Sequence, residues 1–473
     1  MSQNVHADGF AEPSRGAPAA TVIIAADSDR DDFARRLNLV LSWPDAERLQ
    51  MLVVYLAPDR EAVEAGLRGR FLTAPPVSLA LEESTDHLAR VLSHVRAERV
   101  AFLPAGSVFS RPQWGELPAG AHALMVCVSE VSLPTLEWRE HTQYATGWLT
   151  STALLRAIRD FGAFPNWKPL ALAAAARRCG LSLKWLSPRA TTETNEPSTD
   201  AGSPAIGKNS TVLALVPHYR CEEWLGECLE SLVTQSHPLT AIAVIDDASA
   251  EPPVKIVERF PQVTLLTAAE NVGAYRLCQQ VVDETAYDAY LLHDADDWSA
   301  CDRLEIQLGV AEKTGAEFLC TQELRAISRE GEFLPVNYPL DVNRAQAENP
   351  GGYCHINGSS LVSGNLLRRL GGFATGIRLA ADMELLTRAS HAARVLNIPR
   401  YCYYRRDRAA SITSAPETGY GSPLRDGITR LLNERARSNA TLALKGEPPD
   451  LSPCAVAGPV RLTHVLGPAL KPA

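Results

Sequence analysis

The chain has 473 residues, 46% hydrophobic and 21% charged, a globular composition that excludes intrinsically disordered, collagen-like and coiled-coil proteins. A formal net charge of −9 excludes a broad basic surface for nucleic acid, and no apolar run approaches the ~18 residues that span a bilayer. The ten cysteines form no Cys-x-x-Cys pair, so neither a zinc site nor a disulfide framework is expected.

Low-order segments divide the chain into two bodies. Residues 1–18 carry no apolar pattern and no secretory leader, so we expect a disordered N-terminus and a cytoplasmic protein. A linker is predicted at 189–210, which is rich in Thr, Ser, Pro and Gly. A Pro-rich, loosely ordered tail is predicted at 441–473. The bodies between these segments are 19–188 and 211–440.

Strands alternate with helices along the second body. Strands are predicted at 211–216, 241–245, 263–267 and 288–292, and helices at 224–233, 275–282, 301–314 and 380–393. The strands are short continuous apolar runs, as expected of strands buried on both faces. The alternation predicts an α/β fold with a mostly parallel sheet, which binds ligands beyond the carboxyl ends of its strands.

A shift of 190 residues superposes segments of the two bodies. The superposed pairs are Thr21–Ala26 with Thr211–Val216, Leu52–Tyr55 with Ile242–Ile245, and Val100–Ser107 with Tyr290–Asp297. Three matches in one register indicate a duplicated domain. We therefore predict two tandem three-layer α/β domains with the same strand order.

Three polar clusters follow predicted strands of the second body. They are Pro217–Arg220, Asp246–Ser249 and His293–Trp298. In the last cluster, Asp294 and Asp296 stand two residues apart, so an extended backbone presents both carboxylates on one side. Such a pair suits a hard divalent cation that neutralises a diphosphate leaving group. On its own the triplet is more typical of a helix cap, a role that Asp297 could also fill before the next helix.

The order and spacing of several motifs resemble those of the family 2 glycosyltransferases across about 211–415. The motifs are Val216-Pro-His-Tyr-Arg, Val244-Ile-Asp-Asp-Ala-Ser, Glu270-Asn-Val-Gly-Ala-Tyr-Arg, Leu292-His-Asp-Ala-Asp-Asp-Trp-Ser, Gly371-Gly-Phe, Ala381-Asp-Met-Glu-Leu and Tyr404-Arg-Arg. The resemblance implies a nucleotide-diphospho-sugar transferase fold of the GT-A type. It also implies Mn²⁺ or Mg²⁺ at the Asp-x-Asp triplet and inversion at the anomeric carbon.

The resemblance implies roles for individual residues. Asp382 matches the catalytic base, Asp296 the main metal ligand, and Asp294 a residue that contacts metal or ribose. The residues that match nucleotide-binding positions are Pro217, Tyr219, Asp246, Asp247, Asn271, Gly273 and Arg276. Chemistry agrees on the base, because an inverting displacement needs a carboxylate opposite the leaving group. A carboxylate at the start of a helix is also favourable for capping alone.

The sequence departs from the family pattern at two positions. An acidic pair is common in the family where this chain has Ala381-Asp382, and a histidine metal ligand is common where it has Asp407. Asp407 is either a substitute ligand for the cation or a surface residue. The first body has Pro104-Ala-Gly106 at the place of the triplet, so we expect a degenerate domain that binds no metal.

We therefore expect a metal-dependent inverting glycosyltransferase that uses a nucleotide-diphosphate sugar donor. The expected acceptor is a saccharide, a lipid-linked saccharide or a related hydroxyl compound in surface or extracellular polysaccharide assembly. That role fits peripheral association with the inner face of the membrane. The alternative is a non-catalytic sugar- or nucleotide-binding scaffold. A nucleotidyltransferase, a third alternative, needs a basic Gly-rich loop that Pro217–Arg220 does not supply.

Overall fold

The computed structural model describes residues 18–27, 29–67, 76–81, 86–105, 114–117, 121–127, 147–158, 161, 164, 167–189, 205–327, 331–408 and 411–473. Almost all of the N-terminus predicted to be disordered, most of the predicted linker and Gly106 lie outside these ranges. The chain divides into two compact units. One consists of 1–132, 142–188 and 328–334, and the other consists of 133–141, 189–327 and 335–473.

The first unit is an α/β domain. Its strands are β1 (Ala20–Ala25), β2 (Leu49–Leu56), β3 (Val77–Leu81), β4 (Arg99–Leu103), β5 (Ala123–Cys127), β6 (Gly147–Ser151) and β7 (Lys184–Leu186). Its helices are α1 (Arg30–Leu41), α2 (Arg60–Leu67), α3 (His87–Leu92), α4 (Thr152–Ala157) and α5 (Pro169–Arg178), with 3₁₀ turns at Ala46–Arg48, Ala57–Asp59 and Trp114–Glu116.

The second unit is a larger α/β domain. The strands that follow along the chain are β8 (Val212–His218), β9 (Ala241–Asp246), β10 (Val263–Ala268), β11 (Ala289–Leu292), β12 (Trp298–Ser299), β13 (Phe318–Ile327), β14 (Glu332–Val336), β15 (Leu361–Ser363), β16 (Val395–Arg406) and β17 (Leu462–Leu466). The helices are α6 (Glu222–Val233), α7 (Val254–Val257), α8 (Ala274–Glu284), α9 (Arg303–Thr314), α10 (Val342–Glu348), α11 (Gly364–Arg369), α12 (Ala381–Ala389) and α13 (Pro423–Leu444), with a 3₁₀ turn at Asn357–Ser359.

Apolar layers cover both faces of the second sheet. Along β8, Leu213 and Leu215 pack into the layer that includes α8, α11 and α12. Their neighbours Val212, Ala214 and Val216 pack into the opposite layer with α6 and α9. Side chains of a strand alternate between faces, so a strand buried on both faces must be apolar throughout. The prediction of an α/β fold with mostly parallel sheets is confirmed.

The two sheets share one strand order. The first runs β3-β2-β1-β4-β6-β5-β7, and the second runs β10-β9-β8-β11-β15-β13-β16, with β17 and β12 added at its ends. In both, the four leading strands pair in parallel, the next two pairings are antiparallel, and the last is parallel. The order agrees with the prediction from the sequence shift.

The hydrogen-bond register corrects that shift by one residue in either direction. When Leu52 of β2 is matched to Ile242 of β9, their partners Ile23 and Ala214 match at a spacing of 191 residues. On β4 and β11 the matched partners are Phe102 and Leu291, at a spacing of 189 residues. Ala105 rather than Pro104 therefore corresponds to Asp294, and it too lacks a carboxylate.

The segment after α13 is ordered, contrary to the loose tail expected from its prolines. Strand β17 pairs antiparallel with β10, and Val460 is buried. Backbone groups of this segment bond to distant side chains: the Val460 amide donates to Gln280 and the Ala457 amide to Thr375. Proline-dense chain is thus held by hydrogen bonds that a helix or regular strand would otherwise supply. Across the described ranges, no helix is both long and apolar enough to cross a membrane.

Candidate active site

The three polar clusters lie at carboxyl ends of neighbouring parallel strands, as the alternating pattern predicts. Strand β8 ends at His218, β9 ends at Asp246, and β11 ends at Leu292, directly before His293. Because β8 pairs with both β9 and β11, these ends meet at one edge of the sheet. The edge therefore gathers polar side chains from chain segments about 30 to 80 residues apart.

Asp246 is a structural anchor rather than a surface that a ligand touches. It is fully buried, and its Oδ1 lies 2.8 Å from Nδ1 of the buried His218. Its Oδ2 accepts from the Ser249 amide at 2.9 Å. Burial alone would raise the pKa of Asp246, but the bonds from His218 and Ser249 outweigh it and lower the pKa. The predicted contact of this carboxylate with base or ribose is therefore wrong, since the side chain has no exposed surface.

Asp247 fixes the loop that contains Asn271 and Gly273. Its two carboxylate oxygens accept from the amides of Val272 and Gly273, at 2.7 and 2.8 Å. Burial raises the pKa of Asp247 despite these bonds. Gly273 has a φ of +93°, a conformation that favours glycine. On the outer side, Arg378 donates to the carbonyl and side-chain oxygens of Asn271, so the exposed Asn271 is held at the rim.

The remaining predicted nucleotide-binding residues fall into two places. Pro217 is half-buried and Tyr219 is 40% exposed, both at the end of β8. Arg276 lies instead on α8, where its Nε donates to the carbonyl of Gly458 at 2.9 Å. With the segment Val456–Pro459 it lines a cavity of about 340 Å³. The structure thus ties Arg276 to the segment after α13.

The Asp-x-Asp triplet is held by β16. The Tyr403 hydroxyl lies 3.2 Å from Asp294 Oδ2 and 2.7 Å from Asp297 Oδ2. Burial and the Asp296 charge raise the pKa of Asp294 to about 6, and burial raises the pKa of Asp297 well above its usual value. A single hydroxyl proton serves two carboxyl groups, so the raised pKa values favour a shared proton among them.

Asp297 does not cap the next helix. Helix α9 begins at Arg303, and Asp297 instead accepts the Arg406 amide at 2.7 Å. Trp298 is buried and stacks on Tyr404 with ring centroids 5.4 Å apart, so its predicted place in the core is correct. The end of β16 therefore determines where the carboxylates stand.

Asp296 is paired with an arginine. Its Oδ2 contacts the Arg408 guanidinium, and its side chain is 18% exposed. Asp407 is exposed, and its amide donates to the Ala326 carbonyl. Within the described ranges, no three His, Cys, Asp or Glu side chains are grouped so that they could hold a metal ion. The predicted third ligand Asp407 is therefore not brought to Asp294 and Asp296.

Asp382 is the second residue of α12 and does not cap it. The position before the helix is Ala380, with a φ of +60°. Oδ1 of Asp382 accepts from the Tyr275 hydroxyl at 2.9 Å, and the Asp382 charge contributes to the raised pKa of Asp294. The half-buried Asp382 thus faces the triplet from the other side of the sheet edge.

Glu384, the other acid of this helix, belongs to a buried ion pair. Its Oε2 lies 2.6 Å from the Arg388 guanidinium, and its Oε1 accepts from the Cys454 amide at 2.9 Å. Arg388 also donates to the carbonyls of Leu370 and Gly372. The pair joins α12, the Gly-Gly-Phe loop and the segment after α13.

Removing Glu384 is expected to destabilise the protein. Glu384→Ala would leave the Arg388 charge buried without its partner, at a cost of about 3–5 kcal/mol in the free energy of unfolding. The matched control is Glu348→Ala, which breaks an exposed i,i+4 pair with Arg344 and should cost under about 1 kcal/mol. Urea unfolding followed by circular dichroism measures both. Equal effects of the two substitutions would contradict the buried pair.

Gly358 is a close-packed residue that the sequence did not reveal. A Cβ at this position would overlap the Tyr403 hydroxyl and lie 3.0 Å from Asp294 Oδ2. For Tyr403 itself, the sequence indicated only a residue that fills the end of a strand. The alternation of buried side chains along β16 gave no signal for its hydroxyl, since the partner carboxylates are more than 100 residues away.

Gly358→Ala is expected to displace Tyr403 and Asp294. Overpacking of this kind costs about 1–3 kcal/mol, and the displaced carboxylate should also lower nucleotide release from a sugar donor. Gly427→Ala is the control, because the added methyl there meets open space on α13 and should stabilise by up to about 1 kcal/mol. Thermal unfolding and a nucleotide-release assay report the two effects separately. Wild-type behaviour of Gly358→Ala in both would show that the packing is loose.

In the first unit, an arginine occupies the corresponding edge. Arg36 is buried and pairs with Asp32 at 2.7 Å. Its Nη1 donates to the carbonyls of Ala25, at the end of β1, and Pro104, after β4. Asp29 caps α1 by accepting the amides of Asp31 and Asp32, the ordinary helix start expected there.

Comparison with known proteins identifies relatives of the second unit. Residues 214–370 match the family model described as Glycosyl transferase family 2. The curated Glycosyltransferase GlyA of Streptococcus pneumoniae serotype 4 is 27% identical over 97 residues, 20% of this chain and 14% of that protein. The chain thus matches about one seventh of the length of that relative.

Two solved structures are similar to parts of the chain. Residues 1–349 of S. aureus TarS in complex with UDP-GlcNAc are 17% identical, with 49% of this chain and 73% of that one covered at a TM-score of 0.38. The mannosyltransferase PcManGT from Pyrobaculum calidifontis, in complex with GDP-Man and Mn²⁺, is also 17% identical. Coverage is 53% of this chain and 78% of that one, at a TM-score of 0.38.

Proposed function

The second unit carries a glycosyl transferase family 2 domain, and we propose that it transfers a sugar, with inversion, from a nucleotide-diphosphate donor to a hydroxyl acceptor. The supporting observation is the position of Asp382 across the sheet edge from Asp294 and Asp296, close enough that its charge contributes to the raised pKa of Asp294. Carboxylates on two sides of one edge match the two needs of the reaction, charge neutralisation at the leaving group and proton removal at the acceptor. The predicted place in polysaccharide assembly stays a prediction.

Two carboxylates fit a divalent cation. Asp294 and Asp296 come from one loop, and Mg²⁺ or Mn²⁺ needs only one or two protein carboxylates when phosphate oxygens and water complete its shell. Burial and repulsion from Asp296 disfavour a second negative charge at Asp294, and a cation would relieve both. When bound, the cation would neutralise the charge of the diphosphate group. The Arg408 guanidinium must leave Asp296 for that carboxylate to ligate.

Asp382 is proposed to act as the general base. Its Oδ1 accepts the Tyr275 hydroxyl, which fixes the carboxylate and leaves Oδ2 to take the proton of the acceptor hydroxyl. The Asp247 carboxylate, by holding the Asn271–Gly273 loop, shapes the donor side. Asp246 and His218 hold the strand ends beneath it.

The first unit is proposed to bind no nucleotide sugar. Its strand ends are bridged by Arg36, and Ala105 stands where the second unit has Asp294. A buried guanidinium that is bonded to both strand ends leaves no carboxylate for a cation there. We propose that this unit supports the catalytic one.

Nucleotide release tests the proposed function. The full chain is incubated with UDP- and GDP-sugars, with and without Mn²⁺, and nucleoside diphosphate is measured. We expect release that depends on one donor and rises with the cation. Pyrophosphate as the product would indicate a nucleotidyltransferase. Nucleotide binding without any release would favour the scaffold alternative.

A further inference from the structure

Tyr353 presents an exposed aromatic ring beside the proposed base. It is 36% exposed although its neighbours Cys354 and His355 are buried. Its ring lies edge-on to Tyr338, with centroids 5.9 Å apart at 70°, and tilted on His355 at 6.3 Å. Tyr338 is fixed in turn by its hydroxyl, which donates to Glu323 at 2.6 Å. The Tyr353 ring therefore stands on a rigid support while part of it faces solvent.

Several groups around this ring sense Asp382. After burial, the charges of Tyr420 and Asp382 raise the pKa of the Tyr353 phenol. Burial lowers the pKa of His355, and the Asp382 charge opposes that shift. Together with the direct bond from Tyr275, these couplings place the Tyr353 ring and Asp382 on the same side of the site.

His355 adds an unsatisfied polar group behind the ring. It is fully buried, and neither of its ring nitrogens has a hydrogen-bond partner among the described residues. A neutral imidazole offers one donor and one acceptor, and leaving each buried and unpaired costs about 1–3 kcal/mol. Water or a hydroxyl group brought next to Tyr353 would remove that cost.

We propose that Tyr353 is the platform on which a pyranose ring of the acceptor stacks, so that the acceptor is a saccharide rather than an acyclic alcohol or a protein side chain. The inference rests on the proposed function. A pyranose carries an apolar CH face that packs on an aromatic ring, and its hydroxyl edge is then directed to neighbouring polar groups. Asp382 supplies such a group for the reacting hydroxyl. Tyr420, 47% exposed and covered on one side by Arg425 at 5.0 Å, flanks the platform.

Kinetics with a ring and an acyclic acceptor test the platform. The probes are a mixture of methyl glycosides of the common hexoses and, as the acyclic compound, glycerol. Tyr353→Ala should raise the KM for methyl glycoside roughly tenfold, since stacking is worth about 1 kcal/mol, with kcat little changed. Tyr353→Phe should keep the wild-type KM because it keeps the ring. Leu431→Ala, on the exposed face of α13, is the surface control.

Donor hydrolysis without acceptor separates the two proposals. Tyr353→Ala should release nucleoside diphosphate into water at the wild-type rate, whereas a variant that merely unfolds would lose this activity too. Methyl glycosides that stimulate wild type no more than glycerol does, while hydrolysis persists, would overturn the platform and leave the proposed function standing. A KM for Tyr353→Ala equal to that of wild type would overturn the platform in the same way. Absence of donor hydrolysis and of donor binding in wild type would remove the proposed function itself.

Discussion

Replacing Asp382 by asparagine is expected to lower turnover by ~10²–10⁴-fold, the usual contribution of a general base. The amide keeps the shape of the side chain and can still accept the Tyr275 hydroxyl, but it cannot take up a proton. Donor affinity should therefore stay at the wild-type value. Nucleotide release with acceptor gives kcat, and calorimetric titration with the nucleoside diphosphate gives affinity.

Tyr275→Phe is the matched control for this variant. It keeps the ring contact with Phe373, at 5.9 Å, and removes only the hydroxyl that orients Asp382. A smaller loss than for Asp382→Asn is expected, because the base itself remains. Turnover of Asp382→Asn within a few-fold of wild type would move the base to another residue. Glu384 is a poor substitute, since it is buried and paired with Arg388.

Asp296→Asn is expected to reduce cation-stimulated turnover by more than ~100-fold, since even an indirect neighbour of a metal ligand commonly contributes 10- to 100-fold. The fold should survive, because the side chain is partly exposed and its partner Arg408 is 24% exposed. Thermal unfolding and Mn²⁺-dependent nucleotide binding are measured together. Cation-dependent activity that persists in Asp296→Asn would show that the triplet holds no metal.

Asp407→Asn distinguishes a ligand from a surface residue. The exposed Asp407 is not grouped with the triplet, so we expect turnover within about threefold of wild type. A loss as large as that of Asp296→Asn would mean that Asp407 moves to the cation when the donor binds.

The parts of the site that follow from local pattern were predictable. Buried strands have sequences that are continuous apolar runs, and in a parallel sheet their carboxyl ends share one edge. Hence the positions of Asp246, Asp294 and Asp296 at that edge follow from the sequence, as does the order of β8, β9 and β11.

Features set by long-range partners were not predictable in the same way. Asp246 is buried because His218 lies beside it on the neighbouring strand, and no local spacing reveals that pairing. Asp296 is bound by Arg408 and not grouped with Asp407, since the path of the chain after β16 decides which side chain turns inward. Prolines after α13 correctly excluded a helix, but they gave no sign of the hydrogen bonds that order the segment.

The same segment bears on the order in which the second unit folds. The Thr264 hydroxyl bonds the Pro468 carbonyl 204 residues away, and the Val460 amide bonds Gln280 across 180 residues. The β8–β11 edge is closed by contacts only 77 residues apart, such as that of Thr211 with Asp288. Larger loops cost more entropy to close, and pairings of high contact order form slowly. The side of the sheet edge that carries the triplet should therefore form first, and α12 with Asp382 should lock last.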